Sequence, residues 1–372
     1  MSDADYSYED DRHADYIPVE YEYHLTDGYQ AERLDVYLTY RIRNATRTKV
    51  QRAISEGHVS VNGSTKVKAS YKIRPGDHIV CRLMKPPPIE LVPEDIPLQI
   101  LYEDDDVLVI DKEAGMVVHP GFGNRNGTLV NAVLYHMGVR ETRVLEREDD
   151  DDNSMIYSDA AIRPGIVHRL DRETSGVMVI SKKEHIHARL AEQFARRTTR
   201  REYIALAWGV FSEDEGTIEG NIGRSTRDRK IMAVLKRDGK AARTDYTVLE
   251  RFEFATLIRC KLHTGRTHQI RVHCAHIGHP LFGDPTYGGR EVHAGPRTRR
   301  HRQTVKNLLE LMPRQALHAR TLGFLHPGRN AQMDFESPLP ADLNALLERL
   351  RTLPGTDAAD APGQAAGSVR EW

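Results

Sequence analysis

Between residues 31 and 60 the apolar positions recur at helical spacing. In AERLDVYLTYRI, Leu34, Leu38 and Ile42 fall four residues apart on one face, which predicts a short amphipathic helix. TRTKVQRAISEG repeats the pattern with Val50, Ala53 and Ile54, and Gly57 stands where a helix stop belongs. HVSVNG then alternates and reaches an Asn62-Gly63 turn. KVKASYKIRPGDHIVCRL continues with strands around the turn Pro75-Gly76-Asp77. These elements predict a small domain over residues 31–90. Before it, residues 1–30 are polar and read as an acidic, flexible leader, with part of 16–30 packing down. After it, KPPPIELVPEDIP is stiff and Pro-rich, and its portion 91–97 is assigned as a linker.

A second pattern fills residues 98–350. LQILYEDDDVLVIDK reads as strand, acidic turn and strand; GVMVISK, EYIALAWGVF, ARTDYTVLERF, ATLIRCKLH and NAQMDFESP read as further strands. Two helices stand out, HIHARLAEQFARR and THQIRVHCAHIG, the latter with Ile270, Val272 and Ala275 apolar. Strands that adjoin one another predict an α+β fold with a mainly antiparallel sheet. The tail 351–372 is rich in Gly, Ala and Asp and reads as disordered.

Composition changes this picture little, and charge changes it more. The 372 residues are 39% hydrophobic and 29% charged, ordinary for a packed soluble protein. No apolar run approaches the length of a membrane span, and MSDADYSYEDDRHADY lacks the features of a secretory signal. Cys81, Cys260 and Cys274 make no disulfide framework, as expected of a cytoplasmic protein. The net charge of −1 hides an asymmetry: residues 1–30 carry nine acids against Arg12 alone, and Glu148–Asp152 sit in an acidic insertion at about 141–161. Basic residues gather at 33–85, 196–201, 224–243 and 297–306. Because screening limits the field to about 8–10 Å, such blocks can meet phosphates despite a neutral total.

Two segments concentrate chemistry. GIVHRLDRETSGVMVISK, residues 165–182, places His168, Arg169, Asp171, Arg172 and Glu173 on a charged loop before an apolar strand. Taken alone, Asp171 could equally be a surface acid paired with an arginine. A metal role for His168 and Asp171 lacks supporting carboxylate or cysteine spacing. His-Arg-Leu-Asp also occurs in kinase catalytic loops, but no Gly-rich loop, Asp-Phe-Gly or phosphate-binding Gly-x-x-x-x-Gly-Lys accompanies it. The second segment, residues 262–289, packs Arg266, His268, Gln269, Arg271, His273 and His276 around a turn and helix.

HRLDRETSG resembles the signature motif of the RluA/RluD class of RNA pseudouridine synthases, and TGRTHQIRVH resembles its second motif. The likeness extends over roughly residues 31–345, through YEDDDVLVIDKEAGMVVHPG, REYIALAWG and RQALHARTLGFLHP. The leading unit is similar to an S4 RNA-binding domain, and the combination most resembles the branch acting on large-subunit ribosomal RNA. The resemblance implies a mixed, mainly antiparallel bent-sheet catalytic domain preceded by that S4-like module. It implies that Asp171 is the catalytic aspartate, with Arg271 as its ion-pair partner. Tyr203 would stack on the target base above the apolar Ile270, and Arg169 would enter the space left by the everted nucleotide. His168, Arg266 and His268 would be architectural or contact RNA. In the S4-like unit, Arg33, Arg47, Lys49 and Arg52 would contact phosphates, positioning the RNA without specifying its sequence. Two departures stand out: Thr46-Arg47 replaces the usual Ser-Arg, and the acidic insertion has no counterpart.

The implied reaction breaks N1–C1′, turns the uracil and forms C5–C1′, so neither redox cofactor nor metal is expected. A buried carboxylate left to itself is driven towards its neutral form, and an adjacent arginine opposes that. This is the physical reason to expect Arg271 beside Asp171. Ribosomal RNA is the expected partner, with no membrane, and the chain is expected to be monomeric. The rivals are a non-catalytic RNA-binding or ribosome-assembly factor on the same fold, and a metal-dependent nuclease.

Overall fold

The computed structural model describes residues 17–353, apart from 43–44, 46, 86–88, 121–123, 142, 146–164, 229–230 and 297. Thr46, most of the acidic insertion and the 354–372 part of the tail lie outside the described residues. The chain divides into two compact units, Met1–Val92 with Gly121–Arg125 and Thr142–Asp159, and Pro93–Pro120 with Asn126–Glu141 and Ala160–Trp372.

In the first unit, β1 (Ile17–His24) pairs antiparallel along β3 (His78–Lys85), and β2 (Val59–Val61) lies on the other side of β3. Helices α1 (Leu34–Arg41) and α2 (Arg47–Ser55) cover this sheet. The residues expected inward are inward: Leu34, Leu38, Ile42, Val50 and Ile54 pack with Ile73, Ile79 and Cys81. Asn62 and Gly63 both have positive φ, 50° and 79°, as the hairpin turn requires. Within the stretch 16–30, Ile17–His24 forms an edge strand, in which Val19, Tyr21 and Tyr23 alternate with exposed Glu20 and Glu22 and supply a face to bury. The proline-rich stretch and the insertion also contribute structure: β4 (Ile89–Leu91) pairs with β7 (Arg143–Leu145).

The second unit holds a ten-stranded sheet in the order β11-β10-β12-β13-β9-β14-β8-β6-β5, with β15 also on β14. Its strands are β5 (Gln99–Glu103), β6 (Val107–Lys112), β8 (Ser175–Ser181), β9 (Arg200–Trp208), β10 (Glu215–Arg224), β11 (Met232–Leu235), β12 (Lys240–Arg251), β13 (Ala255–Leu262), β14 (Leu317–Leu325) and β15 (Gln332–Glu336). All pairings are antiparallel except β8 with β14. That parallel contact is close. A Cβ on Gly176, at φ +121°, would lie 2.1 Å from the Ala319 carbonyl oxygen, so only glycine fits where the signature loop enters β8.

Around the sheet lie α3 (Leu129–His136), α4 (Glu184–Arg196), α5 (Gln269–His276), α6 (Arg299–Leu311) and α7 (Ala341–Arg351). Sequence periodicity anticipated α4 and α5. It also left α6 and α7 unassigned, although Leu343, Leu346, Leu347 and Leu350 recur at helical spacing and pack with Trp208, Phe254 and Met312. A second core joins β6, β8, β14 and α4 through Val107, Val109, Val177, Val179, Ile186 and Phe324. These two cores fix the strands from whose ends the site is built.

Candidate active site

Asp171 lies on the loop entering β8, and its backbone is clamped. Thr174 N–H donates to the Asp171 carbonyl at 3.0 Å. Lys112, at the end of β6 opposite Gly176, is 1% exposed. Its Nζ donates to the carbonyls of Glu113 (2.7 Å), Met116 (2.9 Å) and Arg172 (3.1 Å). Three acceptors match the three hydrogens of an ammonium. Burial nevertheless pushes the Lys112 pKa down to about 7, against the pull of Glu173. Arg314 secures the far end of the loop, donating to the Glu173 carbonyl at 2.9 Å while paired to Asp342 at 2.7 Å.

Helix α5 presents Arg271 to this loop. Nη1 donates to Asp171 Oδ2 at 3.1 Å. The other edge of the guanidinium forks onto Asp284, Nε to Oδ2 at 2.7 Å and Nη2 to Oδ1 at 2.9 Å. Asp284 is fully buried and also accepts the N–H groups of Thr286 (2.9 Å) and Tyr287 (3.2 Å). The Tyr287 ring lies 5.0 Å from the guanidinium carbon. Burial alone would weaken the charge on Arg271, but the hydrogen bonds and field of Asp284 and Asp171 outweigh it and raise the pKa. The result is one permanent cation between two carboxylates, with Asp171 the more accessible, its side chain 20% exposed.

Tyr203, on β9 between Cys260 and Ala319, is 8% exposed. Burial raises its pKa, opposed by the Arg201 charge and helped by that of Asp171. Ile270 is buried beside Arg271 on α5. His268 adopts φ +56° at the start of α5; its Nδ1 meets Tyr287 Oη at 2.8 Å and its Nε2 lies 3.8 Å from Asp171 Oδ1. Burial lowers its pKa. Arg169 is exposed, with no hydrogen bond or ion pair among the described residues, and its charge reaches His119 and His268.

The remaining expected residues are engaged elsewhere. His168 Nε2 accepts the Val179 N–H at 3.1 Å and its ring stacks on Phe194 at 4.5 Å, so it belongs to the framework. Burial, aided by Arg201, pushes its pKa down to about 3. Arg266 donates from Nε to the Ala241 carbonyl at 3.3 Å. In the first unit, Arg33 and Arg47 clasp the buried carboxylate of Asp35 at 2.9 and 3.0 Å, and Arg52 pairs with Glu56 at 2.7 Å. Lys49 is exposed on α2. Among the described residues, the one group of three metal-ligating side chains within reach of each other is Glu22, His24 and His78, on β1 and β3. Asp284, Tyr287 and Lys112 escaped sequence reasoning. Their signal was present in LFGDPTYGG and VLVIDK, as an acid and a lysine bounding apolar runs.

A family model described as RNA pseudouridylate synthase matches residues 106–276, and an S4 domain model matches residues 32–79. An uncharacterized RNA pseudouridine synthase of Chlorobaculum parvum is 50% identical over 327 residues, covering 86% of this chain and 94% of its own. The chain belongs to the RNA pseudouridine synthases. The ribosomal large subunit pseudouridine synthase D of Pseudomonas aeruginosa is 42% identical over 320 residues, covering 86% of this synthase and 92% of its own length. The human RNA pseudouridylate synthase domain containing 4 shares the fold, with 24% identity, a TM-score of 0.51, and coverage of 68% of this chain and 93% of that one. Asp171, Tyr203, Ile270 and Arg271 all fall within the matched synthase region, while Asp284 and Tyr287 follow it. Among the described residues, no helix is long and apolar enough to cross a membrane.

Proposed function

We propose that this synthase isomerises specific uridines in structured RNA, namely large-subunit ribosomal RNA in the cytoplasm, with Asp171 as the nucleophile, and that it works as a monomer. The observation that carries the reading is the Arg271 guanidinium bridging Asp171 and the buried Asp284. The names of the synthase D relatives support the ribosomal substrate.

The target uridine must leave its stack before any side chain can reach its glycosidic bond. Tyr203 offers a neutral ring for the everted base, worth about 1–3 kcal/mol of stacking. Arg271 occupies Asp171 Oδ2, so Oδ1 is the oxygen we assign to the nucleotide. The N1–C1′ bond breaks, the ring turns, and C5–C1′ forms; N1 gains a proton and the hydrogen on C5 leaves as a proton. A carboxylate at this point stabilises or captures the electron-poor intermediate, as in retaining glycosidases. Arg169, with no ion pair among the described residues, is the residue we assign to fill the vacated stack, and the S4-like unit adds backbone contacts.

Because C5 loses its hydrogen, tritium release from RNA made with [5-³H]uridine reports the reaction. Asp171→Asn should reduce release from a large-subunit ribosomal RNA transcript to background while still binding that RNA. Full tritium release by the variant would overturn the assignment.

A further inference from the structure

Arg201 is unexplained by the chemistry above. It lies on β9 two residues before Tyr203, so the two side chains share one face of the sheet, about 7 Å apart along the strand. Its guanidinium carbon sits 5.5 Å from the Phe194 ring centroid, and Phe194 carries His168 as well. The loop at Gly265, within the TGRTH segment leading to α5, passes against it: a Cβ there would lie 3.2 Å from Arg201 Nη1. Its Nε is buried and has no hydrogen-bond partner. Among the described residues, no carboxylate pairs with it, although its neighbour Arg200 reaches Asp334 at 3.9 Å.

A half-buried guanidinium without a counter-charge is costly, and native proteins rarely leave one unmet. Stacking on Phe194 offsets only part of that cost. The cation also rests against the Phe194 ring, which orients its fork for an acceptor that is not a protein carboxylate. Planar guanidinium forks match phosphate oxygens.

We propose that Arg201 is a positioning residue that binds a backbone phosphate of the RNA next to the everted uridine. The inference rests on the pseudouridine synthase reading: the base lies on Tyr203, and the adjoining phosphate falls on the residue two places earlier on the same strand face. Arg201 touches no reacting atom. It fixes the register of the strand so that the base, rather than a neighbour, meets Asp171.

The test uses the full chain and a large-subunit ribosomal RNA transcript carrying [5-³H]uridine. Arg201→Gln should raise KM about tenfold with kcat within about threefold, and flatten the slope of log(kcat/KM) against log salt by about 0.7–0.9, the contribution of one phosphate. Arg201→Lys keeps the charge without the fork and should recover the salt slope with part of the affinity. A drop in kcat at unchanged KM and unchanged slope, in either variant, would show a packing role and overturn the proposal. So would a wild-type slope in Arg201→Gln. Wild-type protein that releases no tritium from this RNA would sink the substrate reading instead, which keeps the two failures apart.

Discussion

Asp284→Asn isolates the residue that aims Arg271 without touching Asp171. The carboxylate accepts two charge-assisted bonds, at 2.7 and 2.9 Å, and two backbone N–H groups, all in a fully buried position. Bonds to charged partners are each worth about 1.5–3 kcal/mol. An asparagine keeps one oxygen for the backbone donors, but its NH₂ then faces an N–H of the guanidinium, donor against donor. Arg271 is left buried with Asp171 as its remaining ionic partner. Removing one member of such a buried pair costs about 3–5 kcal/mol, and that is the expected loss of stability in urea unfolding followed by circular dichroism. The guanidinium must also shift. A displacement of about 1 Å at a reacting carboxylate costs about a hundredfold, so kcat for tritium release should fall by that order while RNA affinity stays within about threefold. If the variant unfolds at the wild-type urea concentration and turns over at the wild-type rate, Asp284 does not hold the site.

Two further expectations concern the clamp and the frame. Lys112→Met leaves three buried carbonyls without their donor and should destabilise the protein by about 2–3 kcal/mol while lowering kcat, since the 171–174 loop loses its floor; wild-type melting and turnover would refute the clamp. His168 is neutral in the fold, with a pKa of about 3 against 6.5 for the free side chain, so below pH 6.5 the unfolded chain binds the extra proton. Its stabilising effect is complete above pH 6.5 and is lost as the pH falls towards 3. In urea unfolding from pH 7 to 4, His168→Gln should flatten the decline, because an amide oxygen can accept the Val179 N–H at every pH. Identical pH slopes in the two proteins would refute this.

Helical spacing in the first unit named Leu34, Leu38, Ile42, Val50 and Ile54 as inward, and all of them are buried. That was legible because each short helix turns one apolar stripe to a single shared core. The edge strand Ile17–His24 carries a weaker signal, since Val19, Tyr21 and Tyr23 are only half-buried and alternate with glutamates in an acidic stretch. The motif residues Asp171 and Arg271 could be paired from likeness and from charge, 100 positions apart. The partners that decide how they sit could not. Asp284, Lys112 and Arg314 are ordinary acids and bases in the sequence; they become a clamp only because β6, β8 and the segment entering β14 converge. In the first unit, packing of the two helices gave Arg33 and Arg47 a buried acid, Asp35, that a count of basic residues does not reveal.

What the chain order determined by itself was the local periodicity, the turns and the two reactive motifs, because each depends on neighbours within a few residues. Which charges meet, which are buried, and which stand without a partner was decided by the tertiary structure, because electrostatic energy depends on distances and solvent access that packing alone sets.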